Sequence, residues 1–252
     1  MLIDEAESKT VALIMDKGLI DTAANTLKKF AVFSKVEIIA SQNHQLLALQ
    51  GVQLEKIDAP NNVQIPQNIN QCIIDEDKIS VKISDERVLL FIPIENCKSI
   101  WESYSKTCTE YGALCWDLAE IADGFGHVRK ETSEMFIPQM LNYQVFEGIS
   151  FKKGCYIGQE VVARMQYLGK LKRRMRRGLM ATNKLLLPGT PLFTAESSQS
   201  IGNIVLAAPV DEAHCEILAV VTDDSSDSES LSNQDKTAKI IRWLPLPYAI
   251  PK

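Results

Sequence analysis

One cysteine of this chain stands where a thiol could do chemistry. The segment "FKKGCYIGQEVVARMQYLG", residues 151–169, places Cys155 after Lys152 and Lys153 and before a run of residues with helical spacing. Positive charges and a helix N-terminus both stabilise a thiolate, which is the reactive form of cysteine. We therefore predict an accessible, reactive thiol. A small half-buried residue in a turn is the alternative that these residues leave open.

The residues around this thiol predict a tight turn followed by a helix. Gly154 and Gly158 flank the three residues "CYI" and permit backbone conformations that side chains would block. From Gln159 onward apolar residues recur at helical spacing, and Glu160 lies in the first turn, where the helix dipole favours an acid. No histidine is near in sequence to act as a base, so the segment alone names no reaction.

The other cysteines and the histidines form no metal-binding pattern. No two of the six cysteines are separated by the two residues that zinc ribbons use. The histidines His44, His127 and His214 are scattered, and none lies at i, i+4 from another. We predict surface or packed histidines and no metal site.

Charge is distributed unevenly along the chain. The 252 residues carry a net charge of −5, yet the segment from Lys152 to Arg177 contains nine lysines and arginines and only one acid, Glu160. The basic run at residues 170–177 could bind nucleic-acid phosphates, although an exposed linker is the commoner role. The acidic, serine-rich residues 222–236 predict a solvated loop. No apolar run approaches the roughly 18 residues of a membrane span, and no secretory signal is visible, so we expect a cytoplasmic protein.

Hydrophobic periodicity predicts two kinds of structure. After Gly178, short strand-like runs separated by turn residues predict a small β-sandwich or barrel. The first part mixes helices and strands, which predicts a mixed α/β lobe over residues 1–172 and a β domain over 173–252. The elements predicted in the lobe are a strand at 10–15, a helix at 19–33 capped by Asp21 or Thr22, hairpins at 35–41/44–51 and 79–84/87–93, and a helix at 96–112.

The string "KGCYIGQEVVARMQY", Lys153 to Tyr167, resembles the signature of the YgfZ branch of the folate-binding aminomethyltransferase-like superfamily. "LKKFAVFSKV" from Leu27, "FIPQ" from Phe136 and the terminal "PLPY" also resemble this branch, so the likeness covers about residues 10–250. It implies an α+β protein: an aminomethyltransferase-like folate-binding lobe, incomplete at its N-terminus, followed by a small C-terminal β-barrel.

The resemblance also implies a function. Members of this branch bind tetrahydrofolate and support iron-sulfur enzymes, including those that methylthiolate tRNA, which favours an accessory factor and leaves open whether the chain is an enzyme. The alternative is a folate-dependent aminomethyltransferase of the glycine cleavage type, but such enzymes lack the Lys-Gly-Cys string. A third hypothesis, a tRNA-binding module, rests on residues 170–177. The implied partners are therefore folate, iron-sulfur tRNA-modifying enzymes and tRNA.

The family motif assigns candidate site residues in this chain. Its functional cysteine corresponds to Cys155. A flat indole at Trp116 suits stacking on a pterin, although a core tryptophan is the alternative. The implied folate contacts are Trp116, Lys153, Gly154, Tyr156, Gly158, Gln159, Glu160 and Arg164.

Two features depart from the family pattern. Relatives carry a long segment ahead of the region that matches residues 10–15, with strands of the lobe and a second folate-contacting tryptophan. We therefore expect a natural short form, a mis-assigned start or a fragment, with an incomplete folate site. Relatives also have Ile-Glu-Ala-Gly where this chain has Ile121 to Gly124. Ala122 thus replaces the family acid, and Asp123 lies one position along.

Overall fold

Two units make up the chain, Met1–Tyr111 and Gly112–Lys252. The computed structural model describes residues 2–5, 8–52, 54, 57, 63–169, 171–195, 197–223 and 231–250. Within these residues, no helix combines the length and apolar character needed to cross a membrane. The predicted domain boundary after residue 172 stays a prediction.

The first unit contains a four-stranded antiparallel sheet. Its strands are β3 (His44–Gln50), β4 (Cys72–Asp75), β5 (Lys78–Ser84) and β6 (Arg87–Pro93), in the order β3-β6-β5-β4. A separate pair consists of β1 (Leu2–Glu5) and β2 (Ser8–Val11). Helix α1 spans Ile20–Phe30, and helix α2 spans Ile94–Tyr104. The core combines buried residues of the sheet and of α2, among them Leu90, Ile92 and Ile100.

The predictions for this unit are partly confirmed. The hairpin at 79–84/87–93 exists as β5 and β6, which pair antiparallel. The hairpin at 35–41/44–51 is wrong, because residues 35–40 form no strand and β3 pairs with β6, where Leu47 faces Leu90. The strand at 10–15 is also wrong beyond Val11. The backbone cap of α1 is Leu19, and Asp21 lies in the first turn.

The apolar side chains at the end of α1 are exposed. No residue of α1 is buried by the described part of the chain, and Phe30 is 63% exposed. Phe33, in the 3-10 turn that follows, is 100% exposed. Large apolar surfaces of this kind usually mark an interaction site.

The second unit is built on a closed six-stranded β-barrel, as predicted. Its strand order is β10-β7-β12-β11-β8-β9. The interior is filled by buried apolar residues such as Met180, Ile204, Ile217 and Ile240. The strands are β7 (Arg173–Ala181), β8 (Pro191–Phe193), β9 (Gly202–Pro209), β10 (His214–Thr222), β11 (Ser232–Asn233) and β12 (Lys239–Leu244). Of the acidic segment predicted as a loop, residues 224–230 lie outside the described residues.

Helix α3 (Ala113–Ala122) packs on the outside of the barrel. Ile121 joins Met175 of β7 and Leu218 of β10 in a second buried cluster. The loop after α3 passes close to the same surface, since a Cβ on Gly126 would lie 2.6 Å from the Met175 sulfur. Helix α4 (Gln159–Tyr167) carries the second half of the motif. Because Trp116 lies on α3 and the motif lies in α4 and the loop before it, the second unit contains every candidate site residue.

Candidate functional site

Cys155 is exposed in a loop that leads directly into α4. The helix begins at Gln159, as the apolar spacing predicts. Its N-cap is Gly158, whose φ of 87° lies in the left-handed region that glycine adopts readily and other residues adopt at a cost. Gly158 is therefore the residue that turns the loop into the helix.

Short contacts order the loop on both sides of the thiol. The backbone N–H of Tyr156 donates to the side-chain Oε1 of Gln159 over 3.1 Å, and the Gln159 N–H donates to the Tyr156 carbonyl over 3.2 Å. The Lys153 ammonium lies 4.2 Å from the centroid of the Tyr156 ring, a cation–π distance. The structure thus brings Lys153, Tyr156 and Gln159 together around the position of Cys155 in the loop.

Helix α4 is anchored to the segment "FIPQ". Gln139, which is buried, donates from Nε2 to the Val162 carbonyl over 2.6 Å. Its Oε1 is buried and has no hydrogen-bond partner among the described residues. The segment "FIPQ" was identified only by its resemblance to the family, and this positioning role of Gln139 was missed because the spacing of the residues offers no signal for it. On α4 itself, Glu160 and Arg164 are exposed, one turn apart.

Trp116 belongs to a different element, α3, and is held there by a buried acid. Its indole Nε1 donates to Glu120 Oε1 over 2.9 Å. The same oxygen lies 2.7 Å from Nε2 of His127. His127 was predicted only as a surface or packed histidine and Glu120 was not predicted as a site residue, although the i, i+4 spacing of Trp116 and Glu120 favours their contact. The implied folate contacts therefore fall into two groups, Trp116 on α3 and seven residues on the motif loop and α4.

Burial shapes the electrostatics around Glu120. Burial raises the pKa of Asp117, and this effect outweighs the lowering by the Arg129 guanidinium, which lies 2.8 Å from its Oδ1. Burial, and secondarily the charge of Glu120, raise the pKa of Tyr143. At the position of the family acid this chain has Ala122, which carries no carboxylate. The buried carboxylate of α3 is instead that of Glu120.

The basic run occupies the first barrel strand. Arg173 is exposed, whereas Arg177 pairs with Glu216 over 2.6 Å and so has its charge balanced within the barrel. Lys172, just before the strand, is exposed, and Lys170 lies outside the described residues. The run is therefore mostly strand, with its exposed charge concentrated at its start.

Thiol labelling is expected to separate the cysteines by exposure. Cys115 and Cys155 are exposed, whereas Cys215 is buried in the barrel, where burial and then the charge of Glu216 raise its pKa to about 12. A maleimide at neutral pH should modify Cys155 rapidly and Cys215 only after unfolding, because the reactive thiolate is suppressed there. Mass spectrometry of peptides over time measures this. If Cys155 is modified as slowly as Cys215, the exposed position of Cys155 is contradicted. The Cys155→Ala variant is the control, because its spectrum lacks the labelled peptide of Cys155.

Curated proteins named tRNA-modifying protein YgfZ are similar to nearly the whole chain. The protein of Colwellia psychrerythraea is 31% identical over 244 residues, which cover 94% of this chain and 74% of that protein. That of Vibrio vulnificus is 32% identical over 247 residues (95% and 73%), and that of Yersinia enterocolitica is 29% identical over 245 residues (95% and 74%). The chain thus spans about three quarters of these relatives. A comparison with protein-family models finds no match.

A solved structure shares the fold. The glycine cleavage system aminomethyltransferase T from Bartonella henselae superposes with a TM-score of 0.61 at 18% identity, covering 88% of this chain and 64% of that one. This likeness confirms the predicted aminomethyltransferase-like fold. The family is shown by sequence: at 31% and 32% identity to the Colwellia and Vibrio proteins over nearly its whole length, the chain belongs to the YgfZ family of tRNA-modifying proteins.

Proposed function

We propose that this chain is a cytoplasmic, tetrahydrofolate-binding accessory protein that supports iron-sulfur enzymes and the methylthiolation of tRNA. Its relatives are named tRNA-modifying proteins, and its fold is that of an aminomethyltransferase. The observation that carries the proposal is the exposed Cys155, in a loop ordered by Tyr156 and Gln159 at the start of a helix. This placement presents a thiol to a partner.

The residues present fit a folate. Trp116 is half-buried, with its indole edge fixed by Glu120, so its ring is held in one orientation for stacking on a pterin. Lys153 and Arg164 are exposed cations of the kind that pair with the carboxylates of the glutamate tail. The proposed folate contacts are Trp116, Lys153, Gly154, Tyr156, Gly158, Gln159, Glu160 and Arg164. Folate would supply the one-carbon and pterin chemistry, and Cys155 the functional thiol.

The proposed macromolecular partners are iron-sulfur tRNA-modifying enzymes and tRNA itself. The exposed cations at the start of the basic run, Lys172 and Arg173, support a contact with phosphates. Arg177 contributes less because Glu216 already neutralises it. The tRNA contact is therefore proposed for the beginning of residues 170–177.

Replacing Trp116 by phenylalanine is expected to weaken tetrahydrofolate binding by about tenfold. Phenylalanine retains an aromatic face but loses the larger indole and its bond to Glu120, which together contribute about 1.4 kcal/mol, the equivalent of a tenfold change. Anaerobic isothermal titration calorimetry measures the dissociation constants.

Trp243→Phe is the matched control, because Trp243 lies in β12 of the barrel. It should bind tetrahydrofolate like the unmodified chain. The folate proposal fails if the unmodified chain shows no binding, or if Trp116→Phe and Trp243→Phe bind equally well.

A further inference from the structure

One carboxylate oxygen in the second unit holds two aromatic rings. Glu120 Oε1 accepts from the indole Nε1 of Trp116 over 2.9 Å and lies 2.7 Å from Nε2 of His127. The Glu120 side chain is only 5% exposed, whereas that of His127 is 42% exposed. A buried acid thus orients one ring within the helix and one that reaches solvent.

The bond to Glu120 fixes which imidazole nitrogen is free. An ionised carboxylate can only accept hydrogen bonds, so Nε2 of His127 carries the proton and donates. In the neutral imidazole, Nδ1 is then an acceptor. A carboxylate that fixes the tautomer of a histidine in this way is a common arrangement where the other nitrogen binds a ligand.

The loop that carries His127 is held rigidly. The Tyr143 hydroxyl donates to the Gly126 carbonyl over 2.7 Å, and the Tyr248 hydroxyl donates to the Gly124 carbonyl over 2.6 Å. Gly124 has a φ of 67°, a left-handed conformation that suits glycine. Phe125 packs edge-on against the imidazole, with ring centroids 4.8 Å apart. His127 is therefore positioned before any ligand arrives.

Two further side chains surround this pair. Arg129 pairs with Asp117 over 2.8 Å, while the Glu120 carboxylate contacts the indole and the imidazole. Tyr143 bonds to the carbonyl of Gly126, next to His127, and burial followed by the charge of Glu120 raises the pKa of Tyr143.

We infer that His127 is a ligand-contacting residue whose neutral Nδ1 accepts a ring or amino N–H of the heterocycle on Trp116, and that Glu120 is the positioning residue for both rings. A reduced pterin carries several N–H donors along its edge and a flat face, so one molecule satisfies both side chains. This inference rests on the proposed function, because it takes the heterocycle to be that of tetrahydrofolate. It explains why a partly exposed histidine is bonded to a buried acid beside the candidate stacking residue.

Affinity for tetrahydrofolate, measured by anaerobic calorimetry at pH 8, tests the inference. His127→Ala should weaken binding about three- to tenfold, which corresponds to one lost hydrogen bond. Glu120→Gln, which keeps an acceptor oxygen, should bind more weakly than the unmodified chain and more tightly than His127→Ala.

His214→Ala is the matched control. His214 is also bonded to a carboxylate, with Nδ1 2.9 Å from Asp211 Oδ2, and its side chain is 38% exposed. It should leave the affinity unchanged. If His127→Ala keeps the affinity of the unmodified chain, the inference is overturned while folate binding stands. If the unmodified chain binds no tetrahydrofolate, the proposed function falls as well.

Discussion

Replacing Cys155 by alanine is expected to abolish the support of tRNA methylthiolation. In a bacterial strain that lacks its own relative, expression of the unmodified chain should restore methylthiolated tRNA, and Cys155→Ala should leave it at the level of the empty vector. The reason is that the ordered loop presents this thiol at the start of α4, and the methyl group of alanine can act neither as a nucleophile nor as a ligand or redox group. Mass spectrometry of tRNA nucleosides measures the product.

Cys115→Ala is the matched control for this loss. Cys115 is exposed like Cys155 but lies on α3, outside the motif loop. It should restore methylthiolation fully. Equal rescue by Cys155→Ala and the unmodified chain, at equal protein levels, would remove the thiol from the proposed function.

Gly202→Ala is expected to destabilise the barrel more than any surface change. Gly202 begins β9, where it pairs with Val221 of β10 and Leu192 of β8. A Cβ there would collide with the Val220 carbonyl oxygen and lie 2.8 Å from the Val221 Cα. Both neighbours are backbone and cannot turn aside, so we expect the free energy of unfolding to fall by about 3 kcal/mol or more.

Urea unfolding followed by tryptophan fluorescence measures this change, because one of the three tryptophans, Trp243, lies in β12 of the same barrel. Gly112→Ala is the control, since a Cβ on Gly112 meets nothing within 4 Å. It should change the free energy of unfolding by no more than about 0.5 kcal/mol. An unaltered midpoint for Gly202→Ala contradicts the close packing of β9 on β10.

Local patterns predicted the parts of the fold that depend on local interactions. The start of α4 at Gln159 and the hairpin of β5 and β6 follow from apolar spacing and from turn residues next to each strand. The partner of β3 was mispredicted because β3 pairs with β6, which lies about forty residues further along the chain. A prediction from neighbouring segments pairs a strand with the nearest one in sequence. In the folded sheet, β3 pairs with the strand next to which Leu49 is buried.

The candidate site also has a part that depends on local sequence and a part that depends on packing. The thiol, its two glycines and the helix after it lie in one continuous segment, so their arrangement could be predicted. The bonds of Glu120 to Trp116 and His127 depend on how α3 and the following loop pack on the barrel, where Gly126 approaches Met175. The sequence gives His127 no partner at a recognisable spacing, and it was therefore predicted to be a surface or packed histidine.

The exposed apolar side chains of α1 define one further arm of the rescue experiment. Phe30 and Phe33 are largely exposed, and the relatives are longer than this chain, which spans 73% of the Vibrio protein. The rescue experiment therefore also includes a version of the chain that is extended at its N-terminus with the corresponding segment of a relative. Rescue by both forms would show that the 252 residues suffice. Rescue by the extended form alone would show that the added segment completes the site.

The level of methylthiolated tRNA in the deletion strain is the most direct test of the proposed function. We expect the chain, with or without the N-terminal extension, to restore the modified nucleoside well above the level of the empty vector. Levels equal to the empty vector with both forms, although both proteins accumulate and are folded, would contradict a role in tRNA modification.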